Sequence, residues 1–209
     1  MSTSSDTTFE PIRRYGPDPI GSYYNGGGMT PGLFYRRHFR QDPREPQPPI
    51  ASTILAKLDP RPFFQVGGAI EFPRPRADML LPEDAPGDIA SPADLLARFD
   101  ATPPLAEDVY AEFKVTLPTD RPAAAAFEMV RAWAMQHFCI KRLVAVIMVH
   151  HRPGLGGSSR MDHIHLYVPV RQLGRNGFVG PAPYLCCDIG HREAYDAWTT
   201  FQAAQPVKA

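Results

Sequence analysis

The chain has 209 residues, 44% of them hydrophobic, with 22 Lys/Arg balancing 22 Asp/Glu for a net charge of zero. That length and apolar content suit one cored domain with an irregular extension, and the absence of any apolar run of about 18 residues excludes a transmembrane helix. A neutral total argues against coating nucleic acid through bulk positive charge, and the N-terminal MSTSSDTTFEPIRR has no apolar signal core, so a cytoplasmic location without membrane insertion is expected.

Residues 1–104 hold 17 of the 24 prolines. PDPIGSYYNGGGMTPG (17–32) reads as a loop, and DPREPQPP (42–49) as an extended, polyproline-like linker. An irregular N-terminal segment is therefore expected over 1–62, followed by a folded domain over 63–204. FFQVGGAIEF (63–72) suggests a strand pair or one interrupted strand around Gly67-Gly68. SPADLLARF (91–99) carries a Ser cap and a Pro in the first helical position, so it predicts a short helix.

The second half is more regular. YAEFKVTL (110–117) alternates, with Phe113, Val115 and Leu117 on one face and Glu112, Lys114 and Thr116 on the other. AAAAFEMVRAWAMQHF (123–138) predicts a helix, with Phe127, Val130, Ala134 and Phe138 at helical spacing. LVAVIMVHH (143–151) reads as a central strand. RPGLGGSSR (152–160) reads as a turn into MDHIHLYVPVRQL (161–173), which would return antiparallel. GRNGFVG (174–180) is a further turn, and a last helix near 190–204 carries Tyr195, Trp198 and Phe201. The order predicts an α+β fold, a central antiparallel sheet with its helices on one face.

The three cysteines, Cys139, Cys186 and Cys187, form no CxxC pair, which leaves neither a zinc ribbon nor a disulfide framework. Four of the seven histidines fall within sixteen residues: His150, His151, His163 and His165. In a strand, His163 and His165 point to the same face, about 7 Å apart, and can converge on one metal ion. The preceding strand ends at His150-His151, and alternation sets one of these two on that face. Three imidazoles would leave metal positions open for a substrate oxygen.

In its order of elements the stretch 111–178 resembles the MobA/MobL mobilisation relaxases, members of the HUH endonucleases. The likeness rests on an acidic strand ending in Leu117-Pro118, a helix, a strand ending in Val149-His150, then His163-Ile164-His165 with Arg171 and the trailing Gly177-Phe178. The resemblance implies a palm of about five antiparallel strands flanked by helices. It also implies metal-dependent nicking of single-stranded DNA at a plasmid transfer origin through a tyrosyl-DNA intermediate, alongside relaxosome accessory proteins.

By the same resemblance His150, His163 and His165 would hold the divalent ion, Mg²⁺ or Mn²⁺, with His151 the alternative to His150. Glu112 would help bind the metal or orient the nucleophile, and Asp162 would orient a histidine. Tyr35, beside Arg36 and Arg37, is the first candidate nucleophile and Tyr24 the second. Arg36, Arg37, Arg160 and Arg171 suit phosphate contact. Two other readings use the same residues: a metal-binding, DNA-binding accessory module without a nucleophile, and a small three-histidine hydrolase with an activated water.

The neutral total also conceals opposed segments. Residues 131–177 carry seven Lys/Arg against one acid, a net +6, and residues 78–112 carry nine acids against Arg98, a net −8. This predicts a local basic surface around the histidine hairpin, with the acidic segment over or beside it.

Overall fold

The alternation of YAEFKVTL is realised in a strand that becomes the spine of the molecule. The computed structural model describes residues 22–24, 32–39, 50–58, 76–102, 108–151, 162–186 and 188–205. In chain order these form β1 (Ser22–Tyr24), β2 (Leu33–Phe39), α1 (Ile50–Leu58), β3 (Arg76–Leu80), α2 (Pro92–Ala101), β4 (Asp108–Thr116) and α3 (Ala123–Ala134). There follow β5 (Val146–His151), β6 (His163–Pro169), β7 (Arg171–Gly174), β8 (Gly177–Pro181) and α4 (Asp188–Ala203). Six strands make one antiparallel sheet in the order β1-β2-β4-β6-β5-β3, and β7 and β8 form a separate hairpin.

Helices lie against both faces of the sheet rather than one. Phe113, Val115, Met148, Ile164, Leu166 and Val168 share a buried cluster with Phe127, Val130 and Trp133 of α3 and Trp198 of α4. On the opposite face Tyr110, Ile147, Val149 and Tyr167 pack with Ile50 and Ile54 of α1 and Leu95 and Leu96 of α2. The reason is visible in VAVIMV: a strand apolar at successive positions needs cover on both sides. The α+β class expected from the sequence is thus present, with one more strand in the main sheet than the resemblance implied and helices on both sides.

Residues 22–24, 33–39 and 50–58 join this sheet and its second core, inside the stretch read as irregular. The 17–32 stretch read as loop contains β1. The linker expectation over 42–49 and the strand expectation over 63–72 lie outside the described residues.

Local chemistry sets the helix ends. Ser91 caps α2 by accepting from the Asp94 N–H at 3.2 Å, with Pro92 as the first helical residue; replacing such a cap by Ala costs about 1 kcal/mol. Asp100, in the last turn of α2, accepts from the Ile50 and Ala51 N–H groups at 3.0 and 3.1 Å and so fastens the start of α1. After Ala134 the α3 helix widens into a π turn over Met135–Ile140, and Leu143, at φ +58°, reverses the chain into β5. Gly190 lets α4 press onto the 3-10 turn Pro183–Cys186, because a Cβ there would lie 1.8 Å from the Tyr184 carbonyl oxygen. Among the described residues no helix is long and apolar enough to cross a membrane.

Candidate functional site

The register of the central strands decides which side chains can meet, because residues paired across an antiparallel sheet share a face. In β6, His163 pairs with Thr116 and position 151, His165 with Lys114 and Val149, and Tyr167 with Glu112 and Ile147. All of these belong to the face covered in part by α1 and α2. The His163 and His165 rings lie 5.0 Å apart between centroids at 61°, and His165 stacks on Tyr167 at 5.9 Å. The HxH spacing therefore brings two imidazoles together, as the strand period requires.

Glu112 completes this group. The residue is 5% exposed, and its Oε1 lies 2.5 Å from His165 Nδ1. An ionised carboxylate can only accept, so the tautomer that suits this contact carries its proton on Nδ1. This is the arrangement by which a carboxylate fixes a histidine's tautomer and ring angle toward a metal. The same Oε1 is 3.8 Å from Lys57 Nζ, at the end of α1, and that ammonium sits 5.4 Å from the Tyr167 ring centroid. Lys57 was not singled out in the sequence, since α1 lies among prolines; its only signal was a basic residue in the last turn of a short apolar helix.

His150 falls on the other face. It pairs with Ile164 and Arg76, its ring lies 6.0 Å from Phe127 of α3, and its Nε2 is 3.7 Å from Asp162 Oδ1. In register, position 151, directly across from His163, is the one in line with the pair, and position 150 is not. Asp162 stands beside His150 rather than beside His165. Among the described residues no three His, Cys, Asp or Glu side chains gather at one metal position, and the side chain of His151 lies outside that description. His163 and His165, with Glu112 against the latter, are the residues of this face whose donor types would suit a divalent ion.

The expected nucleophile is elsewhere. Tyr35 is 1% exposed, donates its hydroxyl to the Leu185 carbonyl at 2.8 Å, and packs at 5.2 Å against both Phe113 and His191. It thus belongs to the α3/α4 face, opposite His163 and His165. Tyr24 pairs with Tyr35 and follows it to that face in register. Position 23 instead pairs with Arg36, which pairs with Glu112. Two strand spacings, about 10 Å, separate positions 23 and 112.

Among the described residues several of the arginines in the basic count are buried or paired with acids. Arg171 is 5% exposed and its guanidinium lies 6.0 Å from the Phe99 ring centroid, so it packs under α2 instead of facing solvent, and burial lowers its pKa. Arg131 pairs with Asp78 at 2.5 Å and Arg175 with Asp84 at 3.5 Å. Arg142 is buried, donates to the His137 carbonyl at 2.7 Å and pairs with Glu193. Of these partners Asp78 and Asp84 come from the acidic segment, and Glu193 from α4. Arg37 pairs with Ala111, on the face opposite Arg36, and Arg160 lies outside the described residues.

The fold and the site together define an α+β protein whose central antiparallel sheet carries a His-x-His strand braced by a buried glutamate. A solved structure concerning the molecular basis of vancomycin resistance transfer in Staphylococcus aureus shares this fold, with a TM-score of 0.50 and 18% identity. The match covers 61% of this chain and 66% of that one, just under two thirds of its length. No protein-family model and no curated protein sequence matches the chain.

Proposed function

We propose that this chain is a relaxase-like protein of plasmid transfer that nicks single-stranded DNA at a transfer origin with the help of a divalent ion, Mg²⁺ or Mn²⁺. The observation that carries the reading is the His163–His165 pair on one sheet face with Glu112 on Nδ1 of His165. The fold shared with a resistance-transfer structure and the relaxase-like order of residues 111–178 support it. His163 and His165, with His151 as the third, would hold the ion, which supplies Lewis-acid neutralisation of the phosphate charge.

The chain's own groups do the rest. Glu112 keeps the His165 ring turned and holds the Nδ1 side of it, so that Nε2 is the nitrogen presented for a ligand. Arg36, paired in register with Glu112, suits a phosphate oxygen. Tyr23 is the tyrosine whose register position accords with attack from the histidine face. Its oxygen would form the 5′-phosphotyrosyl bond as the bond to the 3′-oxygen breaks, the phenol proton ending on the 3′-hydroxyl. Such a protein would act in the cytoplasm with relaxosome accessory proteins.

The burial of Tyr35 favours a second reading, in which this face holds metal and DNA without a tyrosyl step, as an accessory module or a hydrolase. Incubation with origin-containing single-stranded DNA and Mn²⁺, followed by denaturing electrophoresis, separates them. A protein–DNA adduct lost in Tyr23→Phe supports nicking. Cleavage without adduct supports the hydrolase, and metal-dependent binding without cleavage supports the accessory module.

A further inference from the structure

The Lys57 ammonium is the one described cation brought to the Glu112–His165 pair by a different structural layer. It stands at the end of α1, a helix of nine residues whose start is tied down by both Asp100 oxygens. Ile50 and Ile54 of that helix are buried in the core beneath it, so its axis is fixed at the start and along its apolar side. Fixing the axis fixes where Lys57 ends.

Its surroundings bear on what it does there. The Nζ–Oε1 separation of 3.8 Å is that of an ion pair without a tight hydrogen bond, and the bond from Glu112 Oε1 to His165 Nδ1 is much shorter. Glu112 is therefore committed to the histidine. The Lys57 side chain is 35% exposed, so it reaches solvent while its Nζ stands 3.8 Å from the carboxylate that binds His165. An ammonium has three donors, and a half-exposed one next to a pair of imidazoles is placed to take an anionic oxygen. The ammonium also sits over the Tyr167 ring, 5.4 Å from its centroid, which favours the cation at that place.

We infer that Lys57 is a phosphate-binding residue of this site, contacting a backbone phosphate of the single strand next to the one held at His163 and His165. This deepens the reading of the site as a single-stranded DNA site and rests on it. The contact is electrostatic and independent of base sequence, so it acts on DNA binding even without metal.

The test is fluorescence anisotropy of a fluorescein-labelled oligo(dT) with the full chain in chelator, across a salt series, for the wild type, Lys57→Gln and Lys57→Arg. Each phosphate contact on a single strand contributes about 0.7 to the slope of log affinity against log salt. Lys57→Gln is expected to bind more weakly with a slope shallower by about 0.7, and Lys57→Arg to recover the wild-type slope. A wild-type slope in Lys57→Gln overturns the inference while leaving the site's DNA reading in place, and a change confined to its melting temperature does the same by assigning Lys57 a structural role. If the wild type itself fails to bind, the DNA reading falls and this inference falls with it.

Discussion

Tyr35→Phe separates the two faces of the sheet most directly. The substitution keeps the ring that packs on Phe113 and His191 and removes only the hydroxyl that donates to the Leu185 carbonyl at 2.8 Å. With the tyrosine 1% exposed, water cannot readily replace that donor. Leaving a buried carbonyl without it costs about 1–3 kcal/mol. For a domain of this size, each kcal/mol shifts the melting temperature by about 2–4 °C. The expected fall is therefore roughly 2–12 °C. DNA cleavage or adduct formation with Mn²⁺, assayed below that transition, should match the wild type. Loss of the adduct at an unchanged melting temperature would refute the placement of Tyr35 as a core residue.

Glu112→Gln retains the volume but replaces a charged acceptor on His165 Nδ1 with a neutral one, and Mn²⁺ affinity by calorimetry is expected to fall about 10–100-fold. His151→Ala should weaken Mn²⁺ binding roughly tenfold or more, whereas His150→Ala should leave it near wild type and lower the melting temperature instead; the reverse pattern would restore His150 as ligand. Burial depresses His191 to a pKa of about 4, and burial together with Arg142 and Lys141 depresses His137 to about 3, from 6.5. Between those values and 6.5 the unfolded chain binds the extra protons, so stability is full above pH 6.5 and falls with acidification. The loss is about 2 kcal/mol per histidine by pH 5. A flatter profile of melting temperature against pH is expected in His137→Phe, and an unchanged profile would count against a neutral buried His137.

Much of the central sheet was legible in the sequence. Phe113, Val115 and Leu117 alternate as β4 requires, and the apolar VIMV run and HIHLYV give β5 and β6. The histidine pair followed directly from its spacing of two. The choice between His150 and His151 did not, because one residue of slip exchanges the faces and the pairing of β5 with β6 alone fixes it. Tyr35 carries a readable signal, since it alternates with Leu33, but the neighbouring arginines in LFYRRHF mask that alternation with charge. RADML became β3 only through pairing with β5, its Arg and Asp reaching Glu128 and Arg131 of α3; propensity gave no hint of it. The π turn after Ala134 was hidden because one turn of either period buries nearly the same residues.

The hydroxyl bond from Tyr35 to Leu185 joins residues 150 positions apart. Seen from the ribosome, this is a delay. At about 5–20 residues per second, the carbonyl that receives Tyr35 is synthesised about 8–30 s after it. The longer of the two partners of β2 is also late, since Leu33 pairs with Val115 of β4. Until β4 emerges, a strand containing Leu33, Phe34 and Tyr35 has only the three residues of β1 to pair with. Nascent chains of this protein should therefore engage chaperones before β4 emerges and become protease-resistant only once α4 has cleared the exit tunnel.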